Sequence, residues 1–129
     1  MRHRVKMNKL SRPASHRNAL VKNLARNVFE SGSIITTSAK AKVAQSLVER
    51  VLSKAKEAST TADASRKMAL SRDINRNFND RKLTAKIVNE IAPKYSNKAS
   101  GFTRVLKIGF RRGDAAELSL LQLIPTEEK

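Results

Sequence analysis

A chain of 129 residues has the length of one ordinary domain rather than two, and its 40% apolar content is enough for a small core. With 27 Lys and Arg against 11 Asp and Glu, its net charge of +16 at pH 7 calls for a polyanionic partner. The absence of cysteine excludes disulfides, thiol catalysis and thiolate zinc sites, and 4% aromatic residues with no Trp argue against recognition by base stacking.

Residues 1–14 have no periodicity, and Pro13 disfavours a helix just before it, so this segment is expected to be an extended basic arm that orders on its partner. From Ser15, a predicted N-cap, Leu20, Val21, Leu24, Ala25, Val28 and Phe29 form a helical stripe that Arg17, Lys22 and Arg26 avoid. Gly32 supplies the stop. The β-branched run Ser33 to Thr37 predicts a strand, and Thr37 or Ser38 is expected to cap a second helix reaching about Ala58. Its stripe is Ala44, Leu47, Val48, Val51, Leu52 and Ala55. Lys40 and Lys42 fall at its start, where the helix dipole disfavours cations unless a phosphate compensates them.

Residues 57–65 (EASTTADAS) predict a polar linker, followed by a third helix over about Ala64 to Ile74 carrying Met68, Ala69 and Leu70. Asn79 or Asp80 caps a fourth helix, whose Leu83, Ile87, Val88 and Ile91 bury one side before Pro93 closes it. After a basic loop from Lys94 to Gly101, strands at Phe102–Phe110 and Ala116–Ile124 are joined through RRGDA as a hairpin, with Phe102 and Phe110 assigned to the core. The expected fold is therefore α+β, a single compact domain in the order helix, strand, three helices, two strands, with the helices packed on a small mixed sheet. Residues 1–14 would be the arm, 15–125 the domain and 126–129 a polar tail.

Charge is unevenly distributed. Residues 1–26 carry eight Lys and Arg and no acid, and residues 94–112 carry six more, again with no acid. Nucleic acid is expected ahead of an acidic membrane surface, since no apolar run has the length of a membrane span and no secretory signal core follows the basic start. A cytoplasmic chain is expected. Enzyme chemistry lacks its parts: His3 and His16 both lie in the basic start, glycines are isolated, and Ser15 beside His16 is adequately read as a helix cap. No catalytic residue, metal, cofactor or small-molecule substrate is expected. Phosphate contacts with shape-based fit to a folded RNA or a duplex remain. A small basic nucleoid or duplex-nucleic-acid-binding protein is the alternative.

The same residues carry a family resemblance. MRHR at residues 1–4, Lys9-Leu10, Arg12, Ser15-His16-Arg17 with Ala19, Ile35-Thr36-Thr37, Lys40-Ala41-Lys42, Phe102-Thr103-Arg104-Val105 and Arg112-Gly113-Asp114-Ala115-Ala116 are similar, in order, to the bacterial large-subunit ribosomal protein seventeen family. The chain has Ser100-Gly101-Phe102 where that family commonly has Gly-Gly-Tyr. The resemblance implies a structural component of the large ribosomal subunit, bound to large-subunit ribosomal RNA near the peptide exit tunnel, beside other ribosomal proteins. It implies RNA contact at Arg2, His3, Arg4, Lys9, Arg12, Ser15, His16, Arg17, Thr36, Thr37, Lys40, Lys42 and Arg104; Lys6, Lys107, Arg111 and Arg112 are added on charge alone.

Overall fold

In the computed structural model, which describes residues 3–126, the elements are α1 (Ala14–Ser31), β1 (Ser33–Thr37), α2 (Ser38–Thr60), α3 (Ala64–Phe78), α4 (Arg81–Lys86), β2 (Thr103–Phe110) and β3 (Glu117–Leu123). A π-helical turn at Ile87–Ile91 and a 3₁₀ turn at Ala92–Tyr95 extend α4. Pro93 accounts for the change of pitch. It has no N–H for the carbonyl four residues earlier and crowds that turn, so the chain widens before it and tightens around it.

The centre of the molecule is α2. Ala41, Ala44, Val48, Val51, Leu52, Ala55 and Ala58 are buried along one face, and the alanines let neighbouring elements approach closely. Ala25, Val28 and Phe29 of α1 pack there, with Leu70, Ile74 and Phe78 of α3 and Leu83, Ile87 and Val88 of the fourth helix and its π turn. Phe29 and Phe78 meet edge to face at 5.7 Å. Ile34, Val105, Leu121 and Leu123 close the core from the sheet side.

In the sheet, β3 lies between β1 and β2. Both pairings are antiparallel, so the expected mixed sheet is corrected: the hairpin fixes β2 against β3, and β1 takes the other edge of β3 with Ile34 opposite Leu121. Phe102 is buried against Tyr95, 5.6 Å away, as expected. Phe110 is not a core residue; it is 73% exposed. A bulge between Lys107 and Gly109 and the approach to the turn carry it opposite Glu117, one residue beyond the last β1–β3 pair, Thr37 with Leu118.

Several boundaries differ from expectation for local reasons. Pro13, with extended backbone, occupies the N-cap of α1, and Ser15 lies inside the first turn. Thr37 sits at the N-cap of α2 without a side-chain cap bond, and Ser38 directs its hydroxyl to β3. The 57–65 linker shrinks to residues 61–63: Ala58 remains in the buried stripe, and the hydroxyls of Ser59 and Thr60 bond back to the Lys56 carbonyl, so polar residues continue the helix. Helix α3 runs on to Phe78 and buries Leu70, Ile74 and Phe78, leaving Met68 54% exposed. Asn79 ends it with left-handed backbone, and Asp80 caps α4 by accepting from the Lys82 and Leu83 N–H groups.

Candidate nucleic-acid interface

The basic N-terminal segment, residues 3–13, forms neither helix nor strand, and His3, Arg4, Lys6 and Lys9 are exposed along it. Its base is fixed to α1. A turn closes between the Arg12 N–H and the Lys9 carbonyl at 3.2 Å, with Leu10 and Ser11 at positive φ inside it. Arg12 donates to the Leu10 carbonyl at 3.1 Å, and Arg17 donates to the Arg12 carbonyl at 3.1 Å. Buried Arg12 Nε has no hydrogen-bond partner among the described residues, a costly state unless an acceptor arrives from outside. Ser15 and His16 lie exposed in the first turn of α1, beside this base. Arg2 lies outside the described residues.

Met7 and Asn8 reach a groove between α1 and α2, with a volume of about 340 Å³, whose basic lining is Arg17, Lys22 and Arg50. Lys22 and Arg50 are not among the sequence-predicted contacts. Periodicity was informative for apolar residues on these helices, but which cations meet across a groove depends on how α1 and α2 pack.

A second group gathers where α2 begins. Ser38 Oγ lies 2.6 Å from Ser119 Oγ and 3.4 Å from the Glu117 carbonyl, tying the helix start to β3. Thr36 and Thr37 pair with Ser119 and Leu118 there. Lys107 Nζ pairs with the Glu117 carboxylate at 3.0 Å. Lys107, then the Ser38 hydroxyl and, more weakly, the Lys42 charge hold that carboxyl below its usual range. Thr36, Thr37, Lys42 and Lys107 therefore share one neighbourhood, with Lys40 two positions before Lys42 in the opening turns of α2. No acidic residue occupies the first turn of α2, and Thr37 supplies no cap, so the helix N-terminus retains its positive end.

The hairpin tip is less available than its charge suggests. The Arg111 guanidinium binds both Asp114 oxygens, at 3.1 and 2.5 Å, and with the Ala116 N–H it holds the Asp114 carboxyl down at about 2. Asp114 lies just past the acid-free stretch, so a window ending at residue 112 hides this pairing. Arg112 is exposed beside it. Arg104 lies on the other face of the sheet from Lys107. It stands opposite Gln122, and its guanidinium reaches that amide oxygen in the orientation that satisfies both groups. The structure thus brings together the base of the arm with α1, and separately the start of α2 with Lys107, while Arg104 stands apart.

Among the described residues there is no group of three His, Asp or Glu side chains that could hold a metal ion, and no helix long and apolar enough to cross a membrane. What the surface offers is cationic and hydroxyl donors on rigid elements, suited to phosphate oxygens.

Comparison with known proteins agrees with this chemistry. The family model described as ribosomal protein L17 matches residues 20–124. The large ribosomal subunit protein bL17 of Petrotoga mobilis is 66% identical over 128 residues, covering 99% of this chain and 100% of the relative, so the similarity extends into the basic arm. That of Thermotoga maritima is 54% identical over 124 residues, covering 96% of this chain and 95% of the relative. That of Nautilia profundicola is 39% identical over 124 residues, covering 96% and 98%.

Proposed function

Because the chain belongs to the ribosomal protein L17 family, we propose that it serves as a structural, non-enzymatic constituent of the large ribosomal subunit, gripping large-subunit ribosomal RNA chiefly by its phosphates. Other proteins of that subunit are its neighbours. A position near the peptide exit tunnel is part of the same proposal.

The observation that carries the RNA-contact reading is Arg12. Its half-buried guanidinium is held by the Leu10 carbonyl, leaving Nε without a partner among the described residues at the junction of the basic arm and α1. A phosphate oxygen would satisfy that nitrogen and be flanked by Arg17. From this junction, Arg2, His3, Arg4, Lys6 and Lys9 follow one RNA segment, with Ser15 and His16 as hydrogen-bond donors at the helix start. Thr36, Thr37, Lys40, Lys42 and Lys107 meet a second segment at the positive end of α2. Arg104, Arg111 and Arg112 contribute from the sheet face and hairpin tip, Arg111 after exchanging part of its Asp114 pairing. Lys22 and Arg50 join the arm's contacts.

Crosslinking of the tagged chain in cells, followed by sequencing of the attached nucleic acid, tests this function. Reads concentrated at a few sites of large-subunit ribosomal RNA are expected. Reads scattered over chromosomal DNA or messenger RNA would instead describe a general nucleic-acid binder and overturn the proposal.

A further inference from the structure

Two grooves flank α3, and they differ in how far carboxylates offset their cations. On the α2 side, three of the four lining cations have carboxylate partners: Lys54 pairs with Asp73, Arg66 with Glu57 at 2.7 Å, and Arg76 lies 3.9 Å from Asp73. That groove is partly neutralised by its two carboxylates, and Arg72, which borders both grooves, has no partner in it.

On the other side, α3 and α4 with its π turn enclose an open cleft of about 720 Å³. Lys67 and Arg72 from α3 and Arg81 from α4 line it, all three are exposed, and none has an ion-pair partner among the described residues. No acidic side chain contributes to the lining. Asn75 and Asn89 add amide groups, and the π turn sets Asn89 in the wall. The Thr84 hydroxyl lies 3.3 Å from Asn75 Oδ1, which orients that amide while its NH₂ group keeps no partner among the described residues. Three like charges gathered in a concavity repel one another, and an anion that enters relieves this.

We propose that the α3–α4 cleft is a further phosphodiester-binding site, holding an RNA strand distinct from those met by the arm and by the start of α2. Cations without acids fit a phosphodiester backbone better than a peptide, whose own cationic side chains would find no acceptor carboxylate here. Arg supplies paired donors to a phosphate, Lys a point charge, and the two amides supply donors and acceptors for ribose hydroxyls. The spacing of Lys67, Arg72 and Arg81 in sequence does not reveal the cleft, because it forms only when α4 folds back at Asn79 and Asp80.

The inference rests on the RNA-binding reading above, and one experiment separates their failures. The full chain is bound to a large-subunit ribosomal RNA transcript, and hydroxyl-radical protection and salt dependence are measured. Wild type is compared with the Lys67→Ala/Arg72→Ala/Arg81→Ala variant and with a chain lacking residues 1–12. The triple variant should lose one discrete block of protections, keep those that the arm deletion removes, and show a log–log salt slope shallower by about 2–3. Its exposed substitutions should leave thermal unfolding unchanged. An unchanged footprint and slope, or a uniform fading of every protection, would overturn the cleft site while leaving the arm reading standing. Loss of a protein crosslink in the subunit with an intact RNA footprint would assign the cleft to a protein neighbour and also overturn it. No protection by wild type would sink both.

Discussion

Removal of residues 1–12 should weaken binding to large-subunit ribosomal RNA by about 10³–10⁴-fold near 0.15 M salt while leaving the domain folded. The deletion takes away Arg2, Arg4, Lys6, Lys9 and Arg12, together with His3, and retains Pro13, which starts α1. Five lost phosphate contacts would make the log–log salt slope shallower by about 4, and extrapolation from 1 M salt, where the counterion term vanishes, gives the stated range. The core is untouched, because no described residue before Ala25 is fully buried. What the fold loses is the Arg17 bond to the Arg12 carbonyl and the cover that Met7 and Asn8 give the α1–α2 groove. Fluorescence anisotropy with a labelled transcript, paired with circular dichroism, provides the test. Retained affinity and slope would mean that the arm does not carry the grip.

Substitution of Glu49 by alanine should cost about 2–4 kcal/mol of folding stability, the largest single-site effect expected of a polar residue here. From α2 its carboxylate accepts from the Phe102 N–H at 3.2 Å, the Thr103 N–H at 2.7 Å and the Thr103 hydroxyl at 2.5 Å. Those donors belong to buried residues at the start of β2, where no neighbouring strand supplies an acceptor for them. Truncation leaves all three without a partner and frees the strand end that anchors Phe102 against Tyr95. Glu49→Gln keeps one acceptor oxygen and should cost about half as much. Urea unfolding of the two variants measures this directly; stability within about 0.5 kcal/mol of wild type for the alanine variant would contradict the clamp.

The helices are legible in the sequence where burial repeats every three to four residues. Helix α2 shows this over Ala44 to Ala55, and the apolar positions Leu83, Ile87, Val88 and Ile91 show it again, every one of them buried. The strand at Ser33–Thr37 is legible from β-branching beside Gly32, whose φ of 81° ends α1. Legibility fails where a polar sequence has a tertiary reason to stay helical, as at Ser59 and Thr60, whose hydroxyls bind their own helix. It fails again at Phe110, since alternation cannot foresee a bulge that moves an aromatic residue past the end of the packed sheet.

The interface divides in the same way. Acid-free stretches mark residues 1–26 and 94–112, and so the arm and Lys107, because charge excess is a local property of sequence. Which cations remain available is not local: Arg111 is taken by Asp114, Lys54 by Asp73, and Arg26 by Glu30 and Asp80. Conversely, Lys67, Arg72 and Arg81 are ordinary helix-surface residues in the sequence, and only the packing of α3 against α4 makes them one cleft.

Salt titration of wild-type binding to a large-subunit ribosomal RNA transcript tests the central claim, that the grip is on phosphates, most directly. With about 6–10 contacts, affinity should fall about 10³–10⁵-fold between roughly 50 and 200 mM monovalent salt. A fall of less than about tenfold over that range would correspond to one or two contacts and would contradict the account.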